Sequence, residues 1–184
     1  SHAIGARYKN EHVGNCKYSD ITVFSFHPVK IITTGEGGVA ITNNVNLSRK
    51  MSLLRSHGIT RELDKMTQDP DGPWYYQQIA LGYNYRITDL QAALGISQMK
   101  RLDDYVTRRH EIAKCYDERL AKLPITTPYQ SSDSYSAFHL YVIRLQQLEN
   151  KKIKHSQVFK KFHDKGIKVN LHYIPVHTQP YYKN

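Results

Sequence analysis

Between Ile21 and Thr42 the chain carries three short runs rich in β-branched and aromatic residues, broken by a proline loop and a glycine cluster. Such runs are poor helix and good strand material, so this part of the chain has to build a sheet. Ile21 to Phe26 reads as a buried strand. The loop His27-Pro28-Val29-Lys30 follows, and Ile31 to Thr34 and Val39 to Thr42 read as two more short strands. Gly35-Glu36-Gly37-Gly38 lies between these two, and its glycines permit a tight hairpin turn. Asn44 to His57 then has helical spacing, with Val45, Leu47, Met51 and Leu54 on one face and Gly58 where a helix would end.

Ile59 to Tyr85 shows no sustained period and contains the turn cluster Asp69-Pro70-Asp71-Gly72-Pro73. Helix is expected again from Thr88, an N-cap with Gln91 three residues on. A second helical stretch of about two dozen residues runs through Leu102, Tyr105, Val106, Ile112, Ala113, Tyr116 and Leu120. After Pro124 the pattern predicts a polar loop at Ser131 to Ser136 and a strand from Phe138 to Leu145. A helix from Ser156 to Lys165, closed by Gly166, and a strand from Lys168 to Tyr173 complete a small α/β lobe. The lysine-dense stretch from Lys151 to Lys165 is the solvated face of that helix, with Val158, Phe159 and Phe162 on the other side.

The 26 lysines and arginines outnumber the 16 acidic residues, giving a formal charge of +10. An anionic partner is one explanation: nucleic acid, a phosphate-bearing cofactor or a nucleotide sugar. The basic residues are scattered, and no nucleic-acid-binding motif accompanies them. No apolar run approaches the length of a membrane span. Cys16 and Cys115 are too far apart to make a metal motif or a disulfide framework, so a reducing, cytoplasmic setting is expected.

Lys30 is the residue with most chemical potential. It sits in a strand-end loop, a usual address for functional groups. Its neighbours Val29 and Ile31 would withdraw it from water, and a desolvated amine loses its proton more readily and attacks carbonyls. From spacing alone, a lone lysine at a strand end is more often a surface lysine. Ser25, five residues earlier, can offer a hydroxyl to a phosphate or be an ordinary strand serine. Gly35 to Gly38 lacks a following Lys-Ser/Thr and opens no helix, so a tight hairpin turn is the stronger reading and a phosphate loop the weaker. Gly82-Tyr83-Asn84-Tyr85-Arg86 precedes a helix start, where backbone amides bind anions; a packed loop closed by two tyrosines is the alternative. His172 and His177 are five apart, a spacing that does not put them on one side of a strand and so disfavours a metal pair.

Together these segments resemble one family. Ser25-Phe26-His27-Pro28-Val29-Lys30 with Ile32-Thr33-Thr34-Gly35-Glu36-Gly37-Gly38 is similar to the lysine signature of the DegT/DnrJ/StrS sugar aminotransferases. Arg55-Ser56-His57-Gly58, then Gly82 to Arg86 with Thr88-Asp89 and Gln91 to Gly95, follow in the family's order. His172-Tyr173, Pro175, His177 and Tyr181-Tyr182 resemble its C-terminal substrate loop. The resemblance spans essentially the whole chain. It implies an α/β fold of the aspartate-aminotransferase type (fold type I), with residues 1–100 in a pyridoxal-phosphate-binding large domain built on a mostly parallel sheet. Residues 101–184 would supply a long linking helix and part of a small domain. It implies Lys30 as the Schiff-base lysine, Ser25 as a phosphate ligand, Asn84 as a residue reaching the partner's site in a homodimer, and His2 beside the cofactor ring oxygen. Arg55, Tyr83, Arg86, His172 and His177 are the implied substrate contacts.

Within the family, His27 to Lys30 is most like aminotransferases of the pseudaminic-acid pathway. This implies a UDP-linked 4-keto-6-deoxy-N-acetylhexosamine as substrate and glutamate as amino donor, with no nucleic acid, membrane or metal. A lysine rather than a histidine at position 30 favours amino transfer over the dehydratases of the same fold; a non-catalytic relative or a basic nucleic-acid-binding module would be the other classes. The family places an aspartate for the pyridine nitrogen just before Ser1-His2, and a phosphate-binding turn earlier still. The expectation is therefore a C-terminal half of the enzyme, inactive by itself, whose parallel sheet lacks part of its cover and drives self-association.

Overall fold

The computed structural model describes residues 2–146 and 154–183. In chain order the elements are β1 (Arg7–Tyr8), β2 (Glu11–His12), β3 (Thr22–Ser25), β4 (Gly38–Ile41), α1 (Val45–Leu54), β5 (Ile59–Thr60), β6 (Gln77–Gln78), α2 (Asp89–Met99), α3 (Leu102–Leu120), β7 (Ile125–Thr126), β8 (Ser134–Tyr135), β9 (Arg144–Leu145) and α4 (His155–Asp164). The chain divides into two units, Ser1–Ala121 with Pro128–Val142, and Lys122–Thr127 with Ile143–Asn184.

In the first unit β3 and β4 pair antiparallel, Thr22 opposite Ile41 and Ser25 opposite Gly38. Two expectations are corrected here. Every strand pair among the described residues is antiparallel, so the strands between Ile21 and Thr42 do not pair in parallel. Ile31 to Thr34 is not a strand either. These residues are apolar because they plug the core. Ile31, Ile32 and Thr34 are buried, and the loop folds back so that Thr34 N and Thr33 Oγ1 both donate to Phe26 O at 3.0 and 2.9 Å. The whole segment from residue 26 to 37 is thus a loop closed at its base by the β3–β4 ladder, with Phe26 N donating to Gly37 O. Gly38 is needed at the closing pair, since a Cβ there would meet the Phe24 carbonyl oxygen at 2.8 Å.

The core gathers Ile4, Ala6, Phe24, Ile31, Ile32, Val106 and Ala137. Ile32 is its most enclosed side chain, a burial that stabilises by about 1.5–3 kcal/mol. Beside this core lies an open apolar cleft of about 810 Å³ between the β3–β4 pair and α2. Val23, Val39 and Ile41 remain exposed on the pair.

The predicted helices form with their caps. Asn44 Oδ1 accepts from Asn46 N and Leu47 N at the start of α1. Thr88 and Gln91 make a reciprocal capping box at α2. α1 is shorter than expected because its last carbonyls are taken by the loop after it: Gly58 N donates to Leu53 O and Tyr83 N to Leu54 O. The stretch expected to be irregular holds the short antiparallel pair β5–β6. α3 runs 19 residues.

In the second unit β7 and β9 pair antiparallel. α4 shows its half-buried face at Val158, Phe159 and Phe162 and is closed by Gly166, whose N donates to His163 O at 2.9 Å. The start of the lysine-dense stretch, residues 151–153, lies outside the described residues. Two strand expectations are corrected. Phe138 to Leu145 is strand only at Arg144–Leu145, and Lys168 to Tyr173 is not strand. A strand needs a ladder for its backbone groups, and among the described residues only Arg144–Leu145 has one, with Ile125–Thr126.

Candidate active site

Lys30 closes a turn, its N donating to His27 O at 2.9 Å. Pro28 at the second position of that turn suits the fixed φ of proline. The turn sets the half-buried Lys30 side chain toward the N-terminal segment, where its Nζ lies 2.7 Å from His2 Nε2. The predicted Lys30 and His2 thus come together although 28 residues separate them. Ser25 ends β3 just before the loop, and its Oγ accepts a long contact of 3.4 Å from His27 N. A serine hydroxyl that accepts from the backbone can still donate to an anion.

The far side of the loop is braced by α2. Gln91 Nε2 donates to Glu36 O at 3.0 Å, and Thr34 Oγ1 donates to the same carbonyl at 2.6 Å. The Glu36 carbonyl thereby ties the loop to α2 and to Thr34.

Two other motifs meet at the end of α1. Ser56 and Asn84 form a β-bridge, His57 N donates to Tyr83 O at 3.0 Å, and Tyr85 N to Arg55 O at 2.9 Å. Gly58 makes this approach possible. Its φ is +69°, and a Cβ there would run into the carbonyl of Ala80. The packed-loop reading of Gly82 to Arg86 therefore holds for the backbone, with Tyr83 and Tyr85 stacked at 5.0 Å. The side chains of Arg55, Tyr83, Asn84 and Arg86 all face solvent. His172 and His177 are exposed in the second unit, His177 within a short 3-10 turn at Val176–Thr178.

Sequence reasoning missed His139. Its ring lies 4.6 Å from that of His2, so it belongs to the same cluster as Lys30. It sits in a run that looks like strand, and no local pattern marks it.

A half-buried primary amine beside an imidazole, with a serine hydroxyl at the adjoining strand end, fits the aldehyde and phosphate of pyridoxal phosphate. Among the described residues no group of acidic, cysteine or histidine side chains has the arrangement of a metal site. No helix among them is long and apolar enough to cross a membrane.

The chain is similar to known proteins along its whole length. The chain is 41% identical over 184 residues to the UDP-4-amino-4,6-dideoxy-N-acetyl-beta-L-altrosamine transaminase of Campylobacter jejuni, covering 100% of this chain and 46% of that protein. It is 37% identical over 187 residues to the spore coat polysaccharide biosynthesis protein SpsC of Bacillus subtilis, again across 100% of this chain and 46% of the relative. Among solved structures it superposes on Helicobacter pylori PseC, an aminotransferase involved in pseudoaminic acid biosynthesis, with TM-score 0.84 and 33% identity over 100% of this chain and 46% of that one. Spr1654 of Streptococcus pneumoniae in its PLP form gives TM-score 0.83 and 30% identity over 99% of this chain and 44% of that chain. The chain spans about half the length of the curated relatives it matches. The fold is that of the PLP-dependent transferases of fold type I, present here in part. Residues 1–184 all match, and the chain belongs to the DegT/DnrJ/EryC1/StrS aminotransferase family.

Proposed function

We propose that the protein serves in pyridoxal-phosphate-dependent transamination of a nucleotide-linked keto sugar, with Lys30 as the cofactor lysine. The observation that carries this reading is the 2.7 Å approach of Lys30 Nζ to His2 Nε2 in a half-buried turn. The names of the Campylobacter and Helicobacter relatives support a UDP-linked 4-keto-6-deoxy-N-acetylhexosamine as the sugar, and glutamate is the proposed amino donor.

Pyridoxal phosphate supplies an electron sink that lets an amino group leave one carbon skeleton and join another. Lys30 would hold the cofactor's aldehyde through Nζ, and the same nitrogen is placed to move protons. His2, within hydrogen-bond reach of that nitrogen, holds or accepts the proton at Nε2. Ser25 donates its hydroxyl to the phosphate. Asn84, exposed on the bridge to Ser56, contributes to the site of a second subunit in a homodimer. Arg55, Tyr83, Arg86, His172 and His177 contact the nucleotide sugar, whose phosphates suit a chain of formal charge +10. Incubation with pyridoxal phosphate, borohydride reduction and peptide mapping tests the assignment. The label is expected on Lys30 and absent in Lys30→Ala; a label on another lysine in the unmutated protein refutes it.

A further inference from the structure

One stretch of the first unit has no part in the reading above, yet it is held with care. Residues 134–139 lie along α3. His110 Nε2 donates to Ser136 O at 2.7 Å, and the His110 ring stacks on Tyr135 at 4.1 Å. Arg109 Nη1 donates to Phe138 O at 2.9 Å and reaches His139 O at 3.4 Å. Phe138 N donates to Ser136 Oγ at 3.1 Å. Phe138 itself has φ +44°, the left-handed region that a side chain of this size rarely adopts. Such a conformation persists only where the surroundings over-determine it, and it is enriched at functional sites. Here the surroundings are Arg109 and His110 on α3.

The outcome of this bracing is the place of the next residue. His139 Nδ1 is withdrawn from solvent, and the His139 ring meets His2 at 4.6 Å with the planes tilted by 48°. The two rings border a cleft of about 440 Å³ whose wall includes Ala3, Ala6, Ser136 and Ala137. The tertiary contact with His139 restrains the His2 ring, whose Nε2 lies 2.7 Å from Lys30 Nζ.

We propose that His139 is a positioning residue for the Lys30 amine: its ring fixes the His2 imidazole against Nζ, and Arg109 anchors His139 through the carbonyls of Phe138 and His139. The inference rests on the reading of Lys30 as the cofactor lysine for its chemical purpose, but its geometry can be tested apart from it. In this reading His139 acts through His2, whose ring it meets at 4.6 Å. An aromatic face is what the contact requires, so a phenylalanine should replace it.

The test uses the full chain with ¹⁵N-histidine and two readouts. The first is the long-range ¹H–¹⁵N spectrum of the His2 ring, which reports its tautomer and environment without any cofactor. The second is the rate at which pyridoxal phosphate and borohydride label Lys30, with Lys168 labelling as the control for general accessibility. His139→Ala is expected to move the His2 ring signals and to slow Lys30 labelling about tenfold relative to Lys168, the order seen when one member of a coupled pair is removed. His139→Phe is expected to restore both. Arg109→Ala, which removes no ring but releases the carbonyls of Phe138 and His139, is expected to move the His2 signals in the direction of His139→Ala. Unchanged His2 signals in His139→Ala or Arg109→Ala overturn the inference, and so does a phenylalanine that behaves like alanine. If His139→Ala fails to fold, the Arg109→Ala and His139→Phe spectra decide alone. If no variant, wild type included, is labelled at Lys30, the proposed cofactor role falls while the His2 spectra still judge His139.

Discussion

Replacing Ile32 by alanine tests whether the loop bearing Lys30 is seated in the core as described. Ile32 is 1% exposed and lies two residues beyond Lys30, among Ile4, Phe24, Ile31 and Val106. The substitution removes three carbons, about 2.4 kcal/mol at roughly 0.8 kcal/mol per buried carbon. The hole adds to this. If roughly half of the ~75 Å³ vacated stays open, the cavity term is about 1 kcal/mol at ~24 cal/mol per Å³. A loss of roughly 3–4 kcal/mol is therefore expected for Ile32→Ala, against about 1 kcal/mol for Ile32→Val. Urea unfolding followed by far-UV circular dichroism measures it, at one protein concentration because association would shift the midpoint. Fluorescence is the poorer probe, since the single tryptophan, Trp74, is 70% exposed. A cost below about 0.5 kcal/mol for Ile32→Ala, within the range of an ordinary surface site, would refute the seating of this loop.

Gly58→Ala is expected to cost roughly 2–4 kcal/mol, because positive φ and a collision with the Ala80 carbonyl add together. Gly166→Ala, with positive φ but open space, should cost only about 1 kcal/mol; equal urea midpoints for the two would contradict the described approach. Hydrogen bonds from Lys17 and from Lys65 hold the Glu11 and Glu62 carboxyls below the usual carboxylate range. Depressed values stabilise above the ordinary carboxylate range and lose that contribution as pH falls through the folded value. The Glu11→Gln/Glu62→Gln variant should thus show a slightly flatter decline in midpoint from about pH 6 to about pH 3, a small effect because water reaches both ion pairs. A steeper decline would reverse the sign assigned here. If Asn84 serves a neighbouring subunit's site, hybrids of Asn84→Ala with Lys30→Ala protomers in the active enzyme should regain activity through one intact site, and verified hybrids without recovery would place each site within one subunit.

The sequence shows the helix caps clearly, because a cap is a local exchange between side chain and backbone. Thr88 with Gln91, and Gly166, act where the pattern puts them, and Asn44, placed at the start of a helix, caps it. Strand partners are not local. Ile31 to Thr34 and Thr22 to Ser25 are both β-branched, and only packing distinguishes a segment that plugs the core from one that pairs with Gly38–Ile41. At the candidate site, Lys30, Ser25 and His2 are readable from the family's motif. The 2.7 Å meeting of Lys30 with His2 is a tertiary fact, and His139 enters through a segment whose course depends on Arg109 and His110.

The closed base of the Lys30 loop has a consequence for the order of assembly. The β3–β4 ladder joins residues close in sequence, so closing it restricts little chain, whereas bringing His139 to the same neighbourhood closes a loop about three doublings longer, at an extra cost of about 2 kcal/mol. Local closures of this kind form readily, while distant ones wait for enough of the chain to be ordered. The lysine's own loop should therefore take shape early in folding. The imidazoles that face it arrive from both flanks afterwards, and the amine stays in water until the long helix has brought the last of them in.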